Sequence, residues 1–211
     1  MLPATLPIFP LPNVVLFPNV FLPLHIFEDR YREMVADALA SDRMIGMVLL
    51  RPGWKDNYEG RPPVYPIGSA GLITHAERLE DGRFNIILRG IEKFRISSED
   101  HQRPYRVASV EPLHEGMDEN ARMRIRVERS RLESLVAMHG GEPGRHDLKI
   151  PSAMGDEDLV NALAQYLPLE PLEKQALLEQ EGLVNRCRSL IELLEMKVLV
   201  AKSPNRSDWA H

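Results

Sequence analysis

Apolar residues in the first half of the chain come in short runs separated by Gly, Pro and charged clusters. The runs are Leu6–Leu11, Val20–Phe27, Met44–Leu50, Val64–Ile67, Ala70–Ala76, Phe84–Leu88, Phe94–Ile96 and Tyr105–Val110. Runs of that length between turn residues predict many short strands. Asp81-Gly82 separates two β-rich runs, which signals a hairpin, because Gly accepts the positive φ that a primed turn needs. One helix interrupts this half. Glu28 and Asp29 place negative charge where a helix N-terminus favours it, and Tyr31, Met34, Val35, Ala38 and Leu39 follow at helical spacing. Ser41-Asp42 falls just past its end.

The second half changes period. Ala121, Ile125, Leu132, Leu135 and Val136 mark a helix over about Glu119–Met138, stopped by Gly140-Gly141-Glu142-Pro143-Gly144. A second helix is expected from Asp156 to Tyr166, before Pro168. A third runs from Pro171, a residue suited to a first helical turn, to about Gln180. The last spans Leu183 to about Val200, with Leu183, Val184, Cys187, Leu190, Ile191, Leu194 and Val198 on its stripe. The chain thus reads as α+β: a β-rich subdomain over 1–113 with one inserted helix, a helical subdomain over 114–201 joined through Glu111–Asp118, and a polar tail over 202–211 that frays despite Trp209.

Composition narrows the class. The 211 residues are 44% hydrophobic and 27% charged, enough to bury a core, and the net charge of -5 exerts no strong pull toward nucleic acid or anionic membrane. The single cysteine, Cys187, excludes an intramolecular disulfide and any zinc site built on two thiolates. The start, Met1-Leu2-Pro3-Ala4, lacks the basic region of a signal peptide. The longest apolar stretch, Val14–Phe27, is broken by Pro18, Asn19, Pro23 and His25 and is too short to span a bilayer. A soluble, cytoplasmic protein is expected.

Catalytic templates are not met. No lysine follows a glycine, so no Walker-type phosphate loop exists, and no Gly-x-Gly-x-x-Gly follows a strand. His139 and His146, with Glu142 and Asp147, could form a metal site but read better as a polar surface loop; no metal and no cofactor is expected. Ser152 has Lys149 three residues away, yet a turn or helix cap is the simpler role. Cys187 sits on an apolar stripe and reads as a small buried hydrophobe. Arg122, Arg124, Arg126, Arg129 and Arg131 crowd one helix, but Glu119, Glu128 and Glu133 stand at three- and four-residue spacings from several of them, the pattern of a solvated face.

Two features suit binding. The Gly- and Pro-rich segment Arg51–Pro63 carries Trp54 and Tyr58 between two strands. Loop aromatics often contact partners, although Trp54 could instead fold back over the β-rich end. Leu50, Trp54, Tyr58 and Tyr65 are the candidate binding residues. Replacing Trp54 and Tyr58 together by alanine is then expected to abolish binding with little change in melting temperature. The end of the last helix is apolar on more than one side, which makes Leu193, Met196, Leu199 and Val200 a candidate partner or dimer surface.

An ordered set of segments resembles the N-terminal domain of Lon proteases in a stand-alone form. Leu6-Pro7-Ile8-Phe9-Pro10-Leu11-Pro12-Asn13-Val14-Val15-Leu16-Phe17-Pro18 looks like its opening, continued by Pro23-Leu24-His25-Ile26-Phe27-Glu28-Asp29-Arg30-Tyr31. Ile67-Gly68-Ser69-Ala70-Gly71 and Asp81–Ile96 resemble its central hairpin, and Leu167–Glu179 its helical part. The resemblance covers about residues 6–200. It implies a PUA-like β-barrel packed on a helical bundle, and a non-enzymatic module that captures unfolded or apolar polypeptide or docks on a protease or other partner. In the full-length proteins this domain precedes an ATPase and a Ser–Lys peptidase, and the present chain is expected to lack both. The Pro151-Ser152-Ala153 run is a coincidental echo of a peptidase serine. Because PUA-like barrels elsewhere bind RNA, RNA binding is the alternative function.

Overall fold

The computed structural model describes residues 2–58, 60–139 and 154–202. Six strands form a mixed sheet: β1 (Thr5–Leu11), β2 (Phe21–Ile26), β3 (Met44–Leu49), β4 (Ile67–Arg78), β5 (Phe84–Asp100) and β6 (Arg106–Leu113). The order is β2-β5-β4-β3-β1-β6, and β6 also pairs with β5, so five of the strands close into a ring with β2 outside it. β1 is parallel to β3 and antiparallel to β6.

Eight expected runs have become six strands. The runs ending at Leu88 and starting at Phe94 are one 17-residue strand, β5. Arg89-Gly90-Ile91-Glu92-Lys93 looks like a break in the sequence but stays extended. Lys93 is buried, and its ammonium donates to the Leu178 carbonyl at 3.0 Å. Gly90 passes so close to the chain at Phe17 that a Cβ there would lie 2.0 Å from the Phe17 carbonyl oxygen. The run at Val64 contributes only an isolated bridge to Leu50, and the strand begins at Ile67.

The hairpin between β4 and β5 forms at Asp81-Gly82, with Gly82 at φ +83°. Its loop is longer than a two-residue primed turn. Gly82 N–H donates to the Leu79 carbonyl and Leu79 N–H to the Arg83 carbonyl, both at 2.9 Å. Three residues are thus enclosed, with the glycine in the left-handed position that such loops favour.

Leu6 and Ile8 of β1, Val48 of β3, Ala70 of β4, Phe94 of β5, and Ala108 and Val110 of β6 form one buried cluster. Every ring strand contributes to it, so these side chains fill the ring, with the two-residue period of strands. A second cluster lies under helix α1 (Asp29–Leu39) and joins Tyr31, Met34 and Val35 to Phe9, Ile45, Met47, Ile73 and Leu88. Met34 and Val35 are wholly buried; at roughly 1.5–3 kcal/mol per such side chain, this face rather than helix propensity holds α1 in place.

The remaining helices are α2 (Glu119–His139), α3 (Asp156–Tyr166), α4 (Pro171–Glu179) and α5 (Gly182–Lys202). Contacts divide the chain into two units: residues 1–114 with 161–179, and residues 115–160 with 180–211. The sequence reading grouped 161–179 with the helices; in the structure these residues belong with the sheet. Polar bonds show why. Gln165 Oε1 accepts from Phe17 N–H at 3.1 Å, the Tyr166 hydroxyl donates to the Phe21 carbonyl at 2.9 Å, and Gln175 Nε2 donates to the Ile67 carbonyl at 3.0 Å. In the second unit α2 packs along α5. Arg186 is fully buried there and donates to Glu115 Oε1 at 2.6 Å. The expected tail, with Trp209, lies outside the described residues apart from the last residue of α5. No described helix is long and apolar enough to cross a membrane.

Candidate functional site

The segment after β3 is a narrow neck that opens into a loop. Arg51 N–H donates to the Pro63 carbonyl and Tyr65 N–H to the Leu49 carbonyl, each at 2.9 Å, while Leu50 bridges Val64. Gly53, at φ +87°, starts a short 3₁₀ turn over Trp54–Asn57. This turn sets the Trp54 ring edge-on to Tyr58, with centroids 5.6 Å apart. Both rings are half-buried.

Tyr58 is anchored toward the start of α1. Its hydroxyl donates to Glu28 Oε1 at 2.7 Å. Arg30 Nε donates to Glu28 Oε2 at 3.0 Å, and the Arg30 guanidinium stands 4.7 Å from the Tyr31 ring centre and 5.2 Å from that of Tyr58. Such cation–π placement stabilises by about 0.5–2 kcal/mol, more as the pair is desolvated. Glu28 occupies the N-cap of α1 without capping it, because its carboxylate serves these two side chains.

β6 and the loops around it supply the opposite wall. Arg106, buried, forks onto Glu99 through Nε (2.7 Å) and Nη2 (2.5 Å) and donates through Nη1 to the Pro62 carbonyl at 2.7 Å. Arg61 donates to the Asp100 and Arg103 carbonyls at 3.1 and 3.0 Å. The Tyr105 hydroxyl donates to Asp37 Oδ2 at 2.7 Å. Between these walls lies a cavity of about 210 Å³. Its polar lining is three arginines, Arg30, Arg61 and Arg106, and three tyrosines, Tyr31, Tyr58 and Tyr105; Leu50, Gly60 and three prolines complete it.

Of the four candidate binding residues, Leu50 and Tyr58 line this cavity. Leu50 is only 3% exposed, so it is floor rather than free surface. Trp54 does not line it; its ring packs on Tyr58, which does. Tyr65 is not among the lining; Arg51 covers it at 5.4 Å. The arginines and Tyr31 escape sequence reasoning because ring closure and α1 bring them together from distant positions. The one local signal is Glu28-Asp29-Arg30-Tyr31 at the helix start, which reads there as capping and core.

Burial pushes the Tyr31 hydroxyl up to about 12, against the opposing influence of Arg30. Tyr105 also rises to about 12, through burial and then its bond to Asp37. Both groups hold their protons more tightly folded than unfolded, so stability should fall as pH climbs from about 10 toward about 12. Absorbance titration should show these two tyrosines ionising about two units above an ordinary tyrosine's pKa of ~10. Tyr31→Phe should remove one of the late-titrating groups.

The other candidates lie apart from the cavity. Met196, Leu199 and Val200 are exposed on α5, and Leu193 is half-buried. On α2, Arg129 pairs with Glu133 and Asp156 at 2.8 and 2.7 Å, and Arg131 with Glu195 at 2.6 Å. Arg122 and Arg126 make looser pairs at 3.8 and 3.9 Å. Much of that basic cluster therefore faces its own carboxylates. Cys187 is buried, and burial raises its thiol to about 11. Lys149 and Ser152, and His146 with Glu142 and Asp147, lie outside the described residues. No cluster of metal-binding side chains occurs among the described residues.

Residues 5–196 match the family model described as the ATP-dependent protease La (LON) substrate-binding domain. Lon protease 2 of Bdellovibrio bacteriovorus is 27% identical over 98% of this chain and 26% of its own length. Lon protease of Flavobacterium johnsoniae is 27% identical over 93% and 24%. The chain thus spans about a quarter of these relatives. Two solved structures share the fold. The N-terminal domain of the Mycobacterium avium complex Lon protease has a TM-score of 0.62 at 18% identity, covering 90% of this chain and 98% of that one. A Lon N-terminal domain protein from Xanthomonas campestris has 0.58 at 23%, covering 90% and 97%. The match extends over nearly the whole length, and the chain belongs to the LON substrate-binding domain family.

Proposed function

We propose that this protein is a non-enzymatic module, built on a PUA-like barrel, that captures unfolded or apolar polypeptide segments. The observation that carries this reading is the loop after β3, which holds Trp54 half-exposed against Tyr58, itself half-exposed and part of the lining of a cavity floored by Leu50. Aromatic anchors of this kind dominate binding energy at interfaces. Micromolar capture corresponds to about -8 kcal/mol, within reach of a few such anchors after association costs. The exposed end of α5, with Met196, Leu199 and Val200, is a second surface for a partner protein or a second copy. A cytoplasmic setting accords with a lone, buried cysteine.

The test is fluorescence anisotropy of a labelled, permanently unfolded polypeptide titrated with the protein. Saturable binding that survives high salt supports capture of apolar segments. Steep loss with salt and preference for RNA would favour the RNA-binding alternative. Trp54→Ala should weaken polypeptide binding at least about tenfold, the loss of one anchor of about 1.4 kcal/mol or more, with little change in melting temperature. The double replacement with Tyr58 is less clean than the sequence implies, because Tyr58 is tied to Glu28 and Arg30. An unchanged affinity in Trp54→Ala would remove the loop from the site.

A further inference from the structure

Tyr31 is 4% exposed and lines the cavity, yet its hydroxyl has no hydrogen-bond partner among the described residues. Buried polar groups in folded proteins are almost always bonded. Tyr58 and Tyr105, which share the lining, give their hydroxyl protons to Glu28 and Asp37. Among the described lining residues none carries a carboxylate, and the side chains with protons left to give are the arginines and Tyr31. Arg30 and Arg106 are each matched by an acid, Glu28 and Glu99, whereas among the described residues Arg61 is held by two main-chain carbonyls only. Counted over the described residues, the cavity therefore carries one positive charge beyond the acids paired with it and one unused buried donor.

We infer that this cavity binds the free carboxylate end of a polypeptide, with Tyr31 and Arg61 as its donors. The inference rests on the polypeptide-capture reading and specifies which part of the polypeptide enters. A carboxylate meets the donors with acceptor oxygens alone, and guanidinium–carboxylate bonds are roughly twice as strong as neutral ones. Leu50 and the lining prolines offer apolar wall to the last side chain. The volume is below the roughly 300–1,000 Å³ of drug-sized sites, so a terminal residue fits better than a stretch of passing chain. An internal Glu or Asp would offer the same carboxylate but would leave the apolar wall uncovered.

The experiment compares two fluorescein-labelled hexapeptides ending in Ala-Leu, identical except that one has a free C-terminal carboxylate and the other an amide. A third peptide, amidated, carries one internal Glu. Anisotropy is read with the full chain and with Tyr31→Phe and Arg61→Gln. The free acid should bind at least about tenfold more tightly than the amide, as expected for a charge-assisted contact. Each variant should shrink that difference while still binding the amide. Tyr31→Phe keeps the ring against Phe9 and Arg30 and deletes only the unbonded hydroxyl, so its melting temperature should be unchanged or higher.

Equal binding of acid and amide would overturn the inference and leave polypeptide capture standing. Preference for the internal-Glu peptide over both would also overturn it, assigning the cavity to an acidic side chain. Failure of all three peptides, together with failure of the unfolded polypeptide, would overturn both readings. Failure of the peptides alone would overturn only this one.

Discussion

Truncation of Glu115 to alanine is expected to cost the α2–α5 unit about 3–5 kcal/mol, the range for removing one partner of a buried ion pair. Arg186 has no solvent exposure, and Glu115 Oε1 lies 2.6 Å from its Nη2. Without that carboxylate a desolvated guanidinium loses a charge that compensates it. Whole domains are stable by only about 5–15 kcal/mol, so the variant would sit near the edge of folding. Urea denaturation monitored by circular dichroism reads the loss as a lowered midpoint. The cause is isolated by the double variant Glu115→Ala/Arg186→Met, which removes the buried charge as well and should recover much of the stability. A double variant as weak as the single would mean that packing around Arg186, rather than its charge, is what Glu115 supports.

The second large effect is expected at Gly90. Its N–H donates to the Val20 carbonyl and its carbonyl accepts from Asn19 N–H, both at 2.9 Å, so the residue is held from both sides. An added Cβ would meet the Phe17 carbonyl oxygen at 2.0 Å and its carbon at 2.8 Å. Those atoms are backbone and cannot rotate aside. Gly90→Ala should therefore reach or exceed the upper end of the roughly 1–3 kcal/mol that overpacking costs. Gly116→Ala is the control: nothing lies within 4 Å of its added Cβ, and a change within about 0.5 kcal/mol is expected. Equal midpoints for the two variants would show that the chain at Phe17 moves easily away from β5.

Gly90 also marks what the sequence hides. Helical segments were legible because an apolar stripe repeats along each: the expected and observed ranges coincide for Asp156–Tyr166 and differ by one residue at the end of α4. β5 was not legible as one strand, because Gly90 and Lys93 look like punctuation and solvent. Only the three-dimensional partners, Phe17 for one and Leu178 for the other, explain them. Gln165 and Gln175 mislead in the same way: they look like a helix's wet face but are buried against main-chain groups of the sheet unit. Within the cavity, Leu50 and Tyr58 were accessible to reasoning because a Gly- and Pro-rich loop with aromatics is a local pattern. Arg61 lies in the same loop, but its bonds to the Asp100 and Arg103 carbonyls are not local, and Arg106 arrives only when β6 joins the ring.

The sheet unit is discontinuous in the chain, and this governs how it can be made and cut. Its last strand ends at Leu113, but the carbonyl that receives the Lys93 ammonium and the amide that meets the Ile67 carbonyl come from Leu178 and Gln175. A ribosome delivers the whole 115–160 excursion before those groups emerge. Until then the nascent sheet holds an ammonium with one of its native acceptors still unmade, a state suited to chaperone contact rather than to rapid locking. A fragment cut after residue 113, where the change of period invites a boundary, would be frozen in that unfinished condition. One in which a short linker joins residue 114 to 161 and the chain ends at 179 would carry all the residues of that unit, Gln175 and Leu178 among them.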